Sequence, residues 1–271
     1  MKFSVLIPVY NKEEPHFFEK ALASIAQQTL LPNEVVIVED GPLTGELYGI
    51  ISKWRKELPI KQHPLPKNVG LGRALAQGVE ACQYDVIARM DGDDICMPER
   101  FEEQVKFLEE HNDITILGSA ILEFDDDENN PHALRKTPLS SGELINYAKR
   151  RNPFNHMTVI FRKQAILDVG NYEPIQGFED YFLWIRLFLK GFKGENVAKP
   201  LVLARTGKGM IARRGGLQYI KDEIQFFSTL RQLKFINWVQ FSENILLRST
   251  IRLTPLFIRN FFYKTVIRKK V

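Results

Sequence analysis

The stretch "IARMDGDDICMPERF", residues 87–101, decides the fold. It begins inside an apolar run, Tyr84–Met90, that predicts a buried strand. It ends inside a segment with helical spacing, residues 98–111, which opens with a proline, a residue favoured in the first turn of helices. The turn between them carries three carboxylates within four positions: Asp91, Asp93 and Asp94. The stretch therefore predicts a strand, an acidic turn and a helix in succession.

Strands and helices alternate on both sides of this unit. The predicted strands are Lys2–Val9, Glu34–Glu39, Ile60–Leu65 and Ile114–Phe124, and the predicted helices are Phe17–Gln28, Leu47–Leu58 and Leu71–Cys82. This alternation is typical of an α/β fold with a Rossmann-like, doubly wound, mostly parallel sheet. The pattern loosens after Ser140, where a strong helix is predicted from Glu179 to Lys190. From residue 216 onward the spacing predicts a C-terminal helical extension, interrupted at Pro255.

Composition limits the class of protein. The 271 residues are 44% hydrophobic, which suffices for a core, and no apolar run approaches the roughly 18 residues of a membrane-spanning helix. The two cysteines, Cys82 and Cys96, suit neither a disulfide framework nor a cysteine metal site. These observations favour a protein of the reducing cytoplasm.

Positive charge is concentrated at the C-terminus. Residues 231–271 carry nine Lys and Arg against one acid, Glu243, and the rest of the chain is mildly acidic because the total is only +4. After Pro255, the stretch "LFIRNFFYKTVIRKK" spaces aromatic and aliphatic residues between basic ones, which is typical of a helix lying on an anionic membrane surface. A helix docked on the rest of the protein is the alternative. Nucleic-acid binding lacks a supporting motif.

Polar residues follow the ends of the predicted strands. In an open parallel sheet these ends share one edge, where ligands bind. The residues in question are Pro8, Val9 and Tyr10, then Glu39 and Asp40, then Asn68, then the acidic turn. We therefore expect a nucleotide pocket at this edge. The dinucleotide fingerprint, the P-loop and the EF-hand all fail on spacing or residue type.

The acidic turn suits a divalent cation. Mg²⁺ and similar hard ions are commonly held by one or two carboxylates together with substrate phosphates. Asp91 and Asp93 fit this role best. For Asp94, capping of the following helix is an equal alternative.

Five motifs in order resemble those of the metal-dependent family 2 glycosyltransferases, which have the GT-A fold. They are "SVLIPVYN" at 4–11, "VVIVEDG" at 35–41, "NVGLGRAL" at 68–75, the acidic turn followed by "MPERF", and "GFEDYFLWIRL" at 177–187. The resemblance covers about residues 1–205 and is most similar to bacterial transferases that build exopolysaccharide, capsule and O-antigen repeat units. The resemblance implies two domains. The catalytic domain is 1–215, with a nucleotide-binding half at 1–112 and an acceptor-side half at 113–215. The basic amphipathic helical extension is 216–271.

The resemblance implies a role for each nucleotide-side residue. Pro8, Val9 and Tyr10 would wall the base pocket, with Tyr10 either stacking on the base or packed under the sheet edge. Asp40 would accept the uracil imide hydrogen, which favours a UDP-linked donor. Glu39 would serve the ribose or be a solvated turn acid, and Arg73 would reach the base or diphosphate or lie on a helix surface. Asn68 and Asp91 complete the nucleotide set, while Asp93, with Asp91, would hold Mn²⁺ or Mg²⁺.

In the last motif Asp180 is the expected catalytic base, with Glu179 as its rival. An inverting transfer needs one group to take the proton of the acceptor hydroxyl. Acids in the first turn of a helix are also favoured by the helix dipole, whatever their function. The neighbouring Trp184 has the spacing of a core residue.

The resemblance also implies the acceptor. No motif of the processive members and no flanking membrane span is present, which indicates transfer of a single hexose. The resemblance to bacterial repeat-unit transferases implies an undecaprenyl-diphosphate-linked saccharide as the acceptor, at the inner face of the cytoplasmic membrane. Arg213 and Arg214 would bind a diphosphate or lie in a solvated basic loop. His156 would line the acceptor site or be structural. The alternative function is a non-catalytic nucleotide-sugar or membrane-binding module with the same fold.

Overall fold

The structure is a computed structural model that describes residues 1–175, 177–206, 216–254 and 269–270. The strands are β1 Phe3–Val9, β2 Glu34–Glu39, β3 Ile60–Pro64, β4 Val86–Arg89, β5 Ile95–Cys96, β6 Ile114–Phe124, β7 Ala133–Arg135, β8 Ile160–Arg162, β9 Lys193–Arg205 and β10 Lys269–Lys270. The helices are α1 Pro15–Ala26, α2 Gly45–Trp54, α3 Leu71–Ala81, α4 Arg100–Glu110, α5 Ser141–Tyr147, α6 Lys163–Asp168, α7 Glu179–Leu189, α8 Leu217–Gln232 and α9 Trp238–Leu253, with a 3₁₀ turn at His156–Thr158.

All strands belong to one sheet. Its main path runs β10-β7-β6-β8-β4-β1-β2-β3, with β9 paired to β6 and β5. The run β4-β1-β2-β3 is parallel, as expected, so the carboxyl ends of these strands meet at one edge. The α/β prediction is confirmed. The second half of the sheet differs from a mostly parallel one, because β8 runs antiparallel to both β4 and β6 while β9 is parallel to β6.

Helices cover both faces of the sheet, as alternate side chains of β1 show. Phe3, Val5 and Ile7 point into a core shared with α1, α2 and α4. Leu6 points to the opposite core, which is shared with α3, α7 and α8 and contains the fully buried Trp184. The interpretation of Trp184 as a core residue is confirmed.

The C-terminal extension lies against α7. The rings of Phe178 and Phe226 are stacked with centroids 4.5 Å apart. Buried Glu223 of α8 binds Arg248 and Arg252 of α9, which fixes the two helices to each other. The tail stretch 255–268, predicted to bind membranes, lies outside the described residues, and the proposed division into domains stays a prediction. Within the described ranges, every helix is either too short or not apolar enough to span a bilayer.

Gly78 sets the distance between α3 and the sheet. A Cβ atom at this position would lie 2.3 Å from Leu6 Cδ1 and 2.7 Å from Val38 Cγ2, and both side chains are fully buried. We expect Gly78→Ala to lower the free energy of unfolding by about 1–3 kcal/mol through overpacking.

The control is Gly49→Ala in the interior of α2, where nothing lies within 4 Å of the added Cβ. Helix propensity alone acts there, so we expect a gain of about 0.5–1 kcal/mol. Urea unfolding measures both. A stabilised Gly78→Ala protein would show that α3 does not need this close approach.

Candidate active site

The acidic turn after β4 brings three carboxylates together. One oxygen from each of Asp91, Asp93 and Asp94 lies within 4.8 Å of the others. Asp91 accepts hydrogen bonds from both Nη atoms of Arg89, one of them 2.6 Å long, and Arg89 is only 2% exposed. Burial opposes the charge of Arg89, but the Asp91 carboxylate more than offsets this and raises the arginine pKa. Asp91 is therefore fixed in place by a buried cation.

The other two carboxylates are crowded, with Asp94 buried and Asp93 partly buried. Burial, and then the charge of Asp91, raise the pKa of Asp93 to about 6. Burial raises the pKa of Asp94 well above its usual value, and the charges of Asp91 and Asp93 add to this. Asp94 Oδ1 accepts the Arg205 backbone N–H at 2.8 Å, whereas its buried Oδ2 has no hydrogen-bond partner among the described residues. Excess negative charge and an unsatisfied carboxylate oxygen fit a hard divalent cation.

The capping alternative for Asp94 is wrong. Helix α4 begins at Arg100, with Glu99 at its N-cap, so Asp94 lies five residues before the cap. Its carboxylate instead joins the acidic turn to the end of β9.

A fourth carboxylate, Glu13, faces this turn and was not foreseen. A Cβ on Gly92 would lie 3.2 Å from Glu13 Cδ, so the glycine makes room for the glutamate. Burial raises the pKa of Glu13 to about 8, with further contributions from Asp93 and Asp91. The sequence signal was available, because Glu13 lies in the polar turn that follows β1.

Asp40 contacts the turn after β3, in the region where the sequence predicts the nucleotide pocket. Asp40 Oδ1 accepts the Val69 N–H at 2.6 Å and Oδ2 accepts the Gly70 N–H at 3.1 Å, while the Asn68 amide donates to the Asp40 carbonyl oxygen at 3.2 Å. The predicted neighbours Asp40 and Asn68 are thus brought together at the start of α3.

Glu39 is buried, so its interpretation as a solvated turn acid is wrong. Its carboxylate accepts hydrogen bonds from Tyr48 of α2, at 3.2 Å, and from Gln62 of β3, at 2.5 Å. These contacts hold the carboxylate between two elements. Any ribose contact would have to share it with them.

The remaining nucleotide-side residues differ in exposure. Pro8 is partly buried at the end of β1, and Val9 is buried in the core, so only its backbone is available to a ligand. Tyr10 is exposed and free to stack on a base. Arg73 is exposed on α3. Arg213 and Arg214 lie outside the described residues.

Asp180 lies in the first turn of α7, held by donors on two sides. Asp180 Oδ2 accepts the Asn152 amide at 2.6 Å, and Oδ1 accepts the Tyr181 N–H at 2.7 Å. His156 Nδ1 is 3.9 Å from Oδ2, too far for a hydrogen bond. Burial, and then the charge of Arg89, hold the pKa of His156 well below its usual value, so it is a neutral neighbour. Asn152 is a second residue that the sequence did not indicate.

Glu179 points elsewhere. A Cβ on Gly72 would lie 2.8 Å from Glu179 Cγ, so this side chain rests on α3 rather than on the Asn152 turn. Burial is the main cause that raises its pKa.

Tyr172 lies beside His156, the neighbour of Asp180. Its hydroxyl is 3.0 Å from His156 Nε2. Burial raises the pKa of Tyr172, and the charges of both Asp180 and Asp91 contribute to the rise.

Arg205 packs against the acidic turn. Its guanidinium lies 3.6 Å from the ring centre of Phe17 and 4.5 Å from that of Phe124, and its Nε donates to the Asp93 carbonyl oxygen at 3.3 Å. The sequence did not predict this arginine, which holds the turn from a position 112 residues further along the chain than Asp93.

The site therefore contains an acidic turn that suits a divalent cation and a separate carboxylate, Asp180, held by Asn152. The family model described as glycosyl transferase family 2 matches residues 4–175, and the chain belongs to that family. It is therefore a glycosyltransferase, as predicted.

Two relatives match over nearly their whole lengths. The amylovoran biosynthesis glycosyltransferase AmsE of Erwinia amylovora is 41% identical over 262 residues, 97% of this chain and 98% of AmsE. The UDP-Gal:alpha-D-GlcNAc-diphosphoundecaprenol beta-1,3-galactosyltransferase of Escherichia coli is 39% identical over 268 residues, 99% of this chain and 97% of that enzyme.

Solved structures share the fold. S. aureus TarS 1–349 in complex with UDP-GlcNAc has a TM-score of 0.67 at 20% identity, over 98% of this chain and 76% of that one. The Pyrobaculum calidifontis mannosyltransferase PcManGT in complex with GDP-Man and Mn²⁺ has a TM-score of 0.66 at 16% identity, over 93% of this chain and 70% of that one. The predicted GT-A fold is confirmed.

The raised pKa of Glu13 predicts a pH-dependent effect on stability. Its folded value near 8 exceeds the ordinary 4.5, so the folded state binds an extra proton between these values and loses stability as the pH rises through them. We expect metal-free Glu13→Gln to match the wild type at pH 4.5 and to exceed its free energy of unfolding by about 1 kcal/mol or more above pH 8.

Thermal melting in EDTA across this pH range measures the difference. The control is Glu57→Gln, an exposed acid that precedes β3 and lies outside the acidic turn, which should leave the pH dependence of the wild type unchanged. An equal offset at every pH would contradict the assignment of the effect to Glu13 titration.

Proposed function

We propose that this chain is an inverting, metal-dependent, non-processive glycosyltransferase. It moves one hexose from a UDP-sugar to a lipid-diphosphate-linked saccharide in the synthesis of a surface polysaccharide, an exopolysaccharide or O-antigen. The observation that carries the proposal is a crowded acidic turn with an Asp94 oxygen that no described residue satisfies, together with a separate carboxylate, Asp180, held by the Asn152 amide.

The donor lies along the carboxyl ends of β1, β2 and β4. Tyr10 would stack on the base, Asp40 would accept a hydrogen from the base, and Asp93, with Asp91, would hold Mn²⁺ or Mg²⁺. A bound divalent ion neutralises the charge that develops on the leaving diphosphate. The name of the E. coli relative, which specifies UDP-Gal, and the UDP-GlcNAc complex of TarS support a uridine donor.

Asp180 is the proposed base. The acceptor hydroxyl oxygen attacks the anomeric carbon as the bond from that carbon to the diphosphate oxygen breaks, and Asp180 takes the hydroxyl proton. Attack from the face opposite the leaving group inverts the configuration. The Asn152 amide and the Tyr181 N–H orient the carboxylate for this role. Glu179, resting on Gly72, is less well placed for it.

The acceptor is a saccharide on a lipid diphosphate, by analogy with the acceptor named for the E. coli relative. The enzyme then works at the inner face of the cytoplasmic membrane as a peripheral protein. Arg213 and Arg214, which lie outside the described residues, are the proposed contacts to a diphosphate. The rival proposal, a non-catalytic binding module, does not explain why a carboxylate is held by Asn152 beside the acidic turn.

The donor and metal are tested by calorimetric titration of UDP. We expect Mn²⁺-dependent binding by the wild type and at least a tenfold weaker affinity for Asp93→Asn, because the variant loses a charged oxygen ligand. Asp113→Asn, an exposed acid on the far side of α4, should bind as the wild type does. Equal UDP binding with EDTA would contradict metal dependence, and no binding in either condition would contradict the uridine donor.

The base is tested by transfer from a panel of labelled UDP-hexoses to a lipid-diphosphate saccharide. Asp180→Asn should lower the rate about 10²–10⁴-fold while leaving UDP affinity unchanged, since a general base contributes only to the chemical step. Glu179→Gln is the matched control and should retain most of the rate. The reverse result would make Glu179 the base, and full activity in both variants would remove α7 from the chemistry.

A further inference from the structure

Helix α9 is unusual for a surface helix, because polar side chains face the rest of the protein and large apolar side chains face outward. Its inward face is held by polar groups, because buried Asn244 donates to the Lys149 carbonyl oxygen and Arg248 and Arg252 bind Glu223. Phe241 and Ile245 are its only partly buried apolar contacts with the neighbouring core cluster among the described residues.

The outward face of α9 carries five large apolar side chains among smaller polar ones and Glu243. Leu246 is 74% exposed and Leu247 is 62% exposed, and the other three are Trp238, Val239 and Leu253. At 100° per residue all five fall within half of the helix circumference. This concentration of exposed large apolar side chains marks an interaction site rather than ordinary surface variation. We call these five residues the α9 stripe.

Arg231 flanks the stripe beside its aromatic residue, because its guanidinium lies 4.7 Å from the ring centre of Trp238. Glu243, the one acid on this helix, lies in the same half of the circumference and forms an ion pair with Arg150 at 3.0 Å, so its negative charge is compensated. Large apolar side chains with an aromatic residue and a cation beside it match the interface of an anionic bilayer.

The stripe lies next to the acceptor side of the site. Asn244 and Arg248 donate to the carbonyl oxygens of Lys149 and Arg150. These residues precede Asn152, which holds Asp180, by only two or three positions. A surface that contacts α9 is therefore close to the proposed base.

We propose that the α9 stripe docks on the surface of an anionic lipid bilayer and thereby presents the acceptor side of the site to lipid-linked substrate. The placement of the acceptor rests on the proposed function. The docking itself rests on the stripe and on Arg231 beside it, and it needs no part of the tail 255–268.

The test is co-sedimentation of the full chain with phosphatidylcholine vesicles, with and without phosphatidylglycerol. The wild type should bind the anionic vesicles and be released by salt. The double variant Leu246→Glu/Leu247→Glu should bind at least about tenfold more weakly, since it replaces two inserting side chains with charges. The matched control is Leu139→Glu/Leu189→Glu, which changes two exposed leucines outside α9 and should bind as the wild type does.

Unchanged binding by the Leu246/Leu247 variant would overturn the proposal, as would equal loss in the control. Light scattering tests whether a second copy of the chain covers the stripe instead. If the wild type is a dimer that does not bind vesicles, and the Leu246/Leu247 variant is a monomer, the stripe is a dimer interface and the proposal is overturned. The proposed function fails separately. If no UDP-hexose is transferred to any lipid-diphosphate saccharide while vesicle binding still depends on the stripe, the transferase proposal falls and the docking surface stands.

Discussion

The guanidinium of Arg89, buried at the end of β4, constrains the whole acidic turn. An isolated buried cation is costly, and Asp91 compensates it by accepting from both Nη atoms. The same residue is held from behind, since the fully buried Arg100 donates from Nη2 to the Arg89 carbonyl oxygen at 2.7 Å. The strand end is thus fixed on two sides, and Arg205 of β9 holds Asp94 and the Asp93 carbonyl oxygen on the far side of the turn. The three carboxylates are crowded because Asp91 is held from one side and Asp94 from the other.

Crowding of this kind opposes folding and favours binding. Carboxylates whose pKa values lie above the ordinary range cost stability at neutral pH, and Glu13, Asp93 and Asp94 all fall in this class. Burial of two apolar cores, one on each face of the sheet, offsets this loss of folding free energy. A cation that neutralised the turn would recover part of that cost as binding free energy.

The sequence predicted the features that local pattern and strand order determine. The acidic turn follows a strand, and Asp40 meets Asn68 because parallel strands end at a common edge. It did not predict contacts made between distant segments. Arg205 lies 111 residues from Asp94, and Asn152 lies 28 residues from Asp180. The direction of β8 was likewise hidden, because apolar periodicity does not record whether a strand runs parallel or antiparallel to its neighbours.

The single carboxylate of Asp180 and the three carboxylates of the acidic turn lie in different surroundings, and these surroundings suit different proposed roles. The turn offers negative charge in excess of its donors, with an unsatisfied Asp94 oxygen, and is suited to a cation and the phosphates that accompany it. Asp180 instead receives two hydrogen bonds that fix both of its oxygens in direction. A base must be held in line with one particular proton, whereas a metal ligand must supply charge. His156, whose pKa burial holds well below its usual value, lies between Tyr172 and Asp180 and adds no charge of its own beside the proposed base.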